Sequence, residues 1–101
     1  MGSRLELQSL LEDLLGSRNV YFQPPPSVFM RYPAIVYSRD DIRSIHADDK
    51  SYLQRTAYQV TVIDEDPDSE YVSKVSKLPM CVYDRHYTSD NLNHDVFVLF
   101  Y

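Results

Sequence analysis

The sequence predicts an α+β domain of two layers, a mainly antiparallel sheet of four to five strands with two helices on one face. Three observations carry it. A leucine-rich segment with helical spacing opens the chain, residues 52 to 63 alternate in the manner of a long strand, and the last 22 residues divide into two extended stretches about a polar turn. The order helix, short strand, two strands, helix, hairpin suits one sheet with its helices packed together, and such crossovers allow one mixed strand pair.

The first helix is expected over about residues 4 to 15. Leu7, Leu10, Leu11, Leu14 and Leu15 fall on one face. Ser3 with Glu6 three residues on is a capping-box pattern, and Gly16 is placed to end the helix in the left-handed conformation. Residues 19 to 23, Asn-Val-Tyr-Phe-Gln, form a short extended segment that meets Pro24, Pro25 and Pro26. Proline cannot donate to a sheet, so this strand stops there or lies at an edge, and 24–27 reads as a proline-rich linker. Tyr32 to Ser38 is apolar and β-branched, with Pro33 fitting only its start or an edge.

Between Arg39 and Lys50 the chain turns polar, with Asp40-Asp41 and Asp48-Asp49 bracketing Ile42 and Ile45. A long loop over about 39–50 is the expectation. Tyr52 to Ile63 then reads as the longest strand and the central one. Asp66 and Pro67 carry a helix-start signal, since Asp can cap and Pro supplies the preset φ of the first turn. Tyr71, Val72, Val75 and Leu78 follow at helical spacing, which places a second helix at about 67–77 with Pro79 beyond it. A C-terminal hairpin is expected over about 80–101, turning through Ser89 to Asn93.

At 101 residues the chain is read as one domain, residues 1 to 101. Hydrophobic residues make up 44% and aromatics 13%, enough apolar surface to offset the entropy of ordering. The net charge of −5 disfavours a protein that grips phosphate backbones. A single cysteine, Cys81, rules out an internal disulfide and favours a reducing compartment. No apolar run reaches membrane-spanning length, and the first residues lack a signal-peptide pattern. With Gly2 and Gly16 the only glycines, a glycine-rich phosphate cradle is excluded.

Chemistry-bearing residues are sparse. Cys81 opens an apolar strand, where a packed side chain is the ordinary reading. Asp84, His86, Asp90, His94 and Asp95 crowd the hairpin and include zinc- or manganese-type ligands. Register decides between these readings: His86 opposite His94 would put both on one face, and a one-residue slip would separate them. His46 with Asp48 and Asp49 lacks a specific spacing. The acidic run Asp64, Glu65, Asp66, Asp68 and Glu70 lacks the central glycine and final glutamate of a calcium loop, and reads as a solvated helix start or as negative potential facing a channel. Seven tyrosines, at 37, 52, 58, 71, 83, 87 and 101, exceed what one small core absorbs, so several are expected at subunit contacts.

Five phrases resemble the tail-completion proteins of tailed phages and prophages. They are Asn19 to Pro25, Tyr32 to Ser38, Tyr58 to Asp64, Asp66 to Ser69, and Tyr87 to His94 followed by Val96-Phe97, and the likeness runs over residues 5 to 101. The resemblance implies a tail-terminator-like fold and a structural virion protein of the neck, not an enzyme and without cofactor or metal. Its implied work is to form a ring, expected as a hexamer, that caps the tail tube and joins tail to head. The implied partners are further copies of itself, the tail tube protein and the head-tail connector proteins. DNA would pass through without specific binding, no membrane would be involved, and the site of action would be the virion after assembly in the host cytoplasm.

A lumen that DNA slides through should repel it, which makes Asp64, Glu65, Asp66, Asp68 and Glu70 lumen candidates. Head-to-tail rings use heterologous contacts, which makes Asp40, Asp41, Ile42, Ile45, Asp48, Asp49 and Tyr52 interface candidates. Strand edges offer a second route, by β-augmentation. Three other readings compete: another connector of the adaptor or stopper kind, a small metal-dependent or acid/base enzyme using His86, His94 and nearby aspartates, and a monomeric adaptor that takes a peptide along a sheet edge.

Overall fold

A computed structural model describes residues 3 to 47 and 50 to 101, with side chains described for 3 to 40 and 56 to 101. Its elements in chain order are α1 (Arg4–Leu15), β1 (Val20–Phe22), β2 (Ala34–Ala47), β3 (Lys50–Asp64), α2 (Glu70–Ser76), β4 (Cys81–Ser89) and β5 (Leu92–Phe100). The five strands form one sheet in the order β1-β2-β3-β5-β4. Only β1 and β2 run parallel, and every other pairing is antiparallel. The fold is therefore α+β with a mixed, mainly antiparallel sheet, and β3 holds the centre as its length and alternation predict.

α1 is built as its sequence requires. The Glu6 amide donates to Ser3 Oγ at 3.2 Å, and Gly16 closes the helix at φ 76° with its amide on the Glu12 carbonyl. Leu7, Leu11 and Leu15 are buried, with Leu10 and Leu14 packed at the margin. They meet Ile35 and Tyr37 of β2, Tyr58, Val60 and Val62 of β3, Phe97 and Leu99 of β5, and Val75 of α2 in one core. Register explains the shared face: Ile35 pairs with Val62, Tyr37 with Val60, Val60 with Phe97, and Tyr58 with Leu99.

Two expectations are corrected. The long loop expected over about 39–50 is instead strand over its described residues: β2 continues to Ala47, β3 resumes at Lys50, and the two stay paired to Ala47 and Lys50 through register shifts at Arg39/Asp41 and Ile45/His46. Among the described residues, β1 pairs with β2 no further than Tyr37, β5 pairs with β3 no earlier than Ala57, and no third strand pairs with the ribbon. A two-stranded ribbon without a further sheet neighbour need not alternate as a half-buried strand does, so its polar composition resembled a loop. Seven residues on each arm, Asp41 to Ala47 and Lys50 to Thr56, carry it roughly 20 Å past the sheet at strand rise. The molecule is correspondingly elongated, 47 × 23 × 23 Å.

The second helix begins at Glu70, not at about residue 67. Its cap is Ser69, whose Oγ accepts from the Tyr71 amide at 3.3 Å. Asp66 is already engaged, since its Oδ1 accepts from the Asp68 amide at 2.9 Å and forms a turn before the helix. The C-terminal hairpin is tighter than expected, because Ser89 pairs directly with Leu92. Asp90 and Asn91 alone make the turn, at φ 54° and 64°, the conformation of a two-residue hairpin loop.

Candidate functional site

The interface candidates all fall on or about the projecting ribbon. Asp40 is exposed, at a register shift between Arg39 and Asp41. Asp41, Ile42, Ile45 and Tyr52 occupy strand positions on the ribbon, whose side chains lie outside the description, and Asp48 and Asp49 lie outside the described residues. The backbone places Asp41, Ile42, Ile45 and Tyr52 on one two-stranded arm.

The lumen candidates lie at the opposite end of the strands. Glu65, Asp66, Asp68 and Glu70 are exposed and Asp64 is half-buried. Asp64 Oδ1 accepts from the Asp66 amide at 3.1 Å, and Asp66 Oδ1 from the Asp68 amide. Asn93 Nδ2 on β5 donates to the carbonyls of Asp64 and Glu65 at 3.4 and 3.3 Å. These bonds fix the loop, so its carboxylates are held out on an ordered support.

Register separates the hairpin histidines. His86 pairs with Asp95, and Tyr87 pairs with His94, so the two imidazoles face opposite ways. His86 Nε2 lies 3.2 Å from Asn93 Oδ1. His94 stacks on Tyr87 with ring centroids 4.6 Å apart, and its Nδ1 lies 3.2 Å from the Leu92 carbonyl. No group of three His, Cys, Asp or Glu side chains suited to a metal occurs among the described residues. Asp95 is buried and accepts from the Tyr83 hydroxyl at 3.1 Å. That phenol is held above its ordinary pKa, by desolvation first and then by the bond to Asp95 and its charge.

Cys81 is half-buried, and burial pushes its thiol pKa up. A nucleophilic thiol requires the opposite shift. Among the described residues no helix is long and apolar enough to cross a membrane.

The tyrosines divide. Tyr37 and Tyr58 belong to the core. Tyr83 and Tyr87 are 49% and 42% exposed on β4, where Val82 is 59% exposed. β4 is an edge strand of nine residues, bonded on one side to β5, and only Cys81 of its side chains is even partly buried. A register shift between Tyr83 and Arg85, with Asp84 and Arg85 exposed beside it, interrupts this edge, and the exposed Val82, Tyr83 and Tyr87 lie on either side of the shift. A small apolar hollow of about 230 Å³, lined by Leu10, Leu78, Met80, Leu99 and Tyr101 among others, opens beside its first residues.

Sequence reasoning missed one feature. Arg4, Phe22, Gln23, Arg39 and Tyr58 line a cavity of about 410 Å³ where the ribbon leaves the sheet. These residues come from four distant parts of the chain, and no local spacing announces them. No protein-family profile, curated protein or solved structure matches the chain.

Proposed function

We propose that this chain is a structural subunit of a phage neck, a tail terminator or closely related head-tail joining protein that assembles into a ring on the end of the tail tube. The observation that carries the reading is the two-stranded ribbon of β2 and β3, whose backbone pairing runs on past the last pairs that β1 and β5 make with them. An arm of this kind gains a packed surface by lying on a neighbour, and a different patch on that neighbour receives it, which is the heterologous contact that closes rings. The free β4 edge, with Val82, Tyr83 and Tyr87 outward, supports a second seam by strand addition. The sequence resemblance to tail-completion proteins and the net charge of −5, which suits a passage for DNA, point the same way.

The β4 edge also favours a second reading, an adaptor that accepts an extended peptide from a partner. Metal-dependent chemistry on His86 and His94 draws no support, because the hairpin register sends them to opposite faces.

The test is the paired substitution Asp40→Ala and Asp41→Ala. Circular dichroism should show the fold retained, while light scattering should show a weaker assembly. Unchanged assembly would remove the base of the ribbon from the interface, and a parent protein that stays monomeric while binding an extended peptide along β4 would favour the adaptor.

A further inference from the structure

The arginine-lined cavity stands against the overall charge of the molecule. The chain holds 10 Lys and Arg against 15 Asp and Glu, yet the described lining carries two guanidinium groups and no carboxylate. Arg4 is held in place: its guanidinium carbon lies 4.7 Å from the Phe22 ring centroid, and Nη1 donates to the Tyr37 hydroxyl at 3.3 Å. The Arg39 side chain is exposed, and its strand is anchored by a backbone N–H bond to Gln23 Oε1 at 3.2 Å. Phe22 and Tyr58 supply aromatic walls. Two arginines beside aromatic walls have the chemistry to take a carboxylate, because guanidinium binds carboxylate in a two-pronged geometry.

A complementary group exists on the same chain, out of its own reach. The run Asp64 to Glu70 holds five carboxylates and no Lys or Arg, and its turn bonds and Asn93 present it ready-formed. Arg39 pairs with Tyr58, six positions from Asp64 along β3, which is roughly 20 Å at strand rise. The receptor and the acidic loop thus sit toward opposite ends of the strands, and a contact between them requires two molecules.

We propose that the Arg4 and Arg39 cavity receives carboxylates from the Asp64–Glu70 loop of a second copy of this chain, so that each copy offers its loop to one neighbour and its cavity to another. This rests on the ring reading only in that copies meet head to tail. It assigns the acidic loop to a subunit contact instead of the lumen.

The experiment uses the full chain carrying Glu65→Gln, Asp66→Asn and Asp68→Asn, which keeps carbonyl oxygens for the turn bonds and frees the cavity of neighbouring loops. A fluorescein-labelled peptide of residues 62 to 71 is titrated with it by anisotropy. Saturable binding is expected, weakened about tenfold or more by Arg39→Glu, the order expected for losing a charge-assisted pair. The peptide with its acids replaced by amides should not bind. No saturable binding, binding indifferent to Arg39→Glu, or displacement by inorganic phosphate at equal molar concentration would overturn the proposal. The two ideas fail separately: a ring that forms normally with Arg39→Glu removes this contact alone, and peptide capture by a parent chain that never forms rings removes the ring alone.

Discussion

The Tyr37 hydroxyl on β2 donates to Gln8 Oε1 on α1 at 2.5 Å, tying the helix to the sheet through a buried ring. Gln8 extends the link, since its Nε2 donates to the Val20 carbonyl and to Glu12 Oε2, both at 3.1 Å. Arg4 reaches the same hydroxyl from the first turn of α1. One phenol therefore orients the helix over β1 and β2. Tyr37→Phe keeps the ring but strands the Gln8 carbonyl oxygen, and should cost about 1 kcal/mol. Urea unfolding followed by circular dichroism measures it, and an unchanged midpoint would show the bond to be energetically idle.

The same phenol makes a pH prediction. Burial holds Tyr37 above the ordinary phenol pKa, outweighing the opposing effect of Arg4, and burial also raises Cys81. For both groups the folded state binds the proton more tightly than the unfolded state. Their contribution is complete below the unfolded pKa values and is lost as pH rises past about 8.5 for the thiol and about 10 for the phenol. Stability should fall on the alkaline side, and Cys81→Ala should flatten the first part of that fall. Identical slopes in the two proteins would exclude the thiol as a source.

Gly16 isolates a backbone effect. It ends α1 at φ 76°, and an added Cβ would meet no atom within 4 Å. Gly16→Ala should therefore cost about 1 kcal/mol through left-handed strain alone. Thermal unfolding should show a small drop with the fold intact.

In the core, Leu11 is fully buried beneath the sheet. Leu11→Ala should cost about 2 to 5 kcal/mol by opening a cavity. An equilibrium unfolding curve indistinguishable from the parent would contradict the packing of α1 described above.

What the sequence made legible follows from where local chemistry decides the structure. Ser3, Glu6 and Gly16 bracket α1, and the leucine spacing supplies its buried face. The alternation from Tyr52 to Ile63 marks the central strand, and from Ala57 on that strand has β2 and β5 as neighbours and α1 packed on its buried face. The described part of the Arg39 to Lys50 stretch was illegible for the converse reason: a ribbon whose two strands pair only with each other need not display an apolar period. α2 offered two start signals, Asp66-Pro67 and Ser69, and only the turn bond from Asp66 Oδ1 to the Asp68 amide decides between them. The hairpin register that separates His86 from His94 is set by the two-residue turn at Asp90 and Asn91, where Ser89 pairs with Leu92, and the wider polar stretch from Ser89 to Asn93 does not reveal that length. Arg4, Phe22, Arg39 and Tyr58 meet only through tertiary packing, so their cavity has no signature along the chain.

The central claim is that this chain works by assembling into a ring. Its most direct test is the solution mass of the unmodified protein by light scattering across a concentration series, with negative-stain imaging of the largest species. The account predicts a closed species of about six copies with a central hole. A strict monomer throughout the series, with no annular particles in the images, would contradict it.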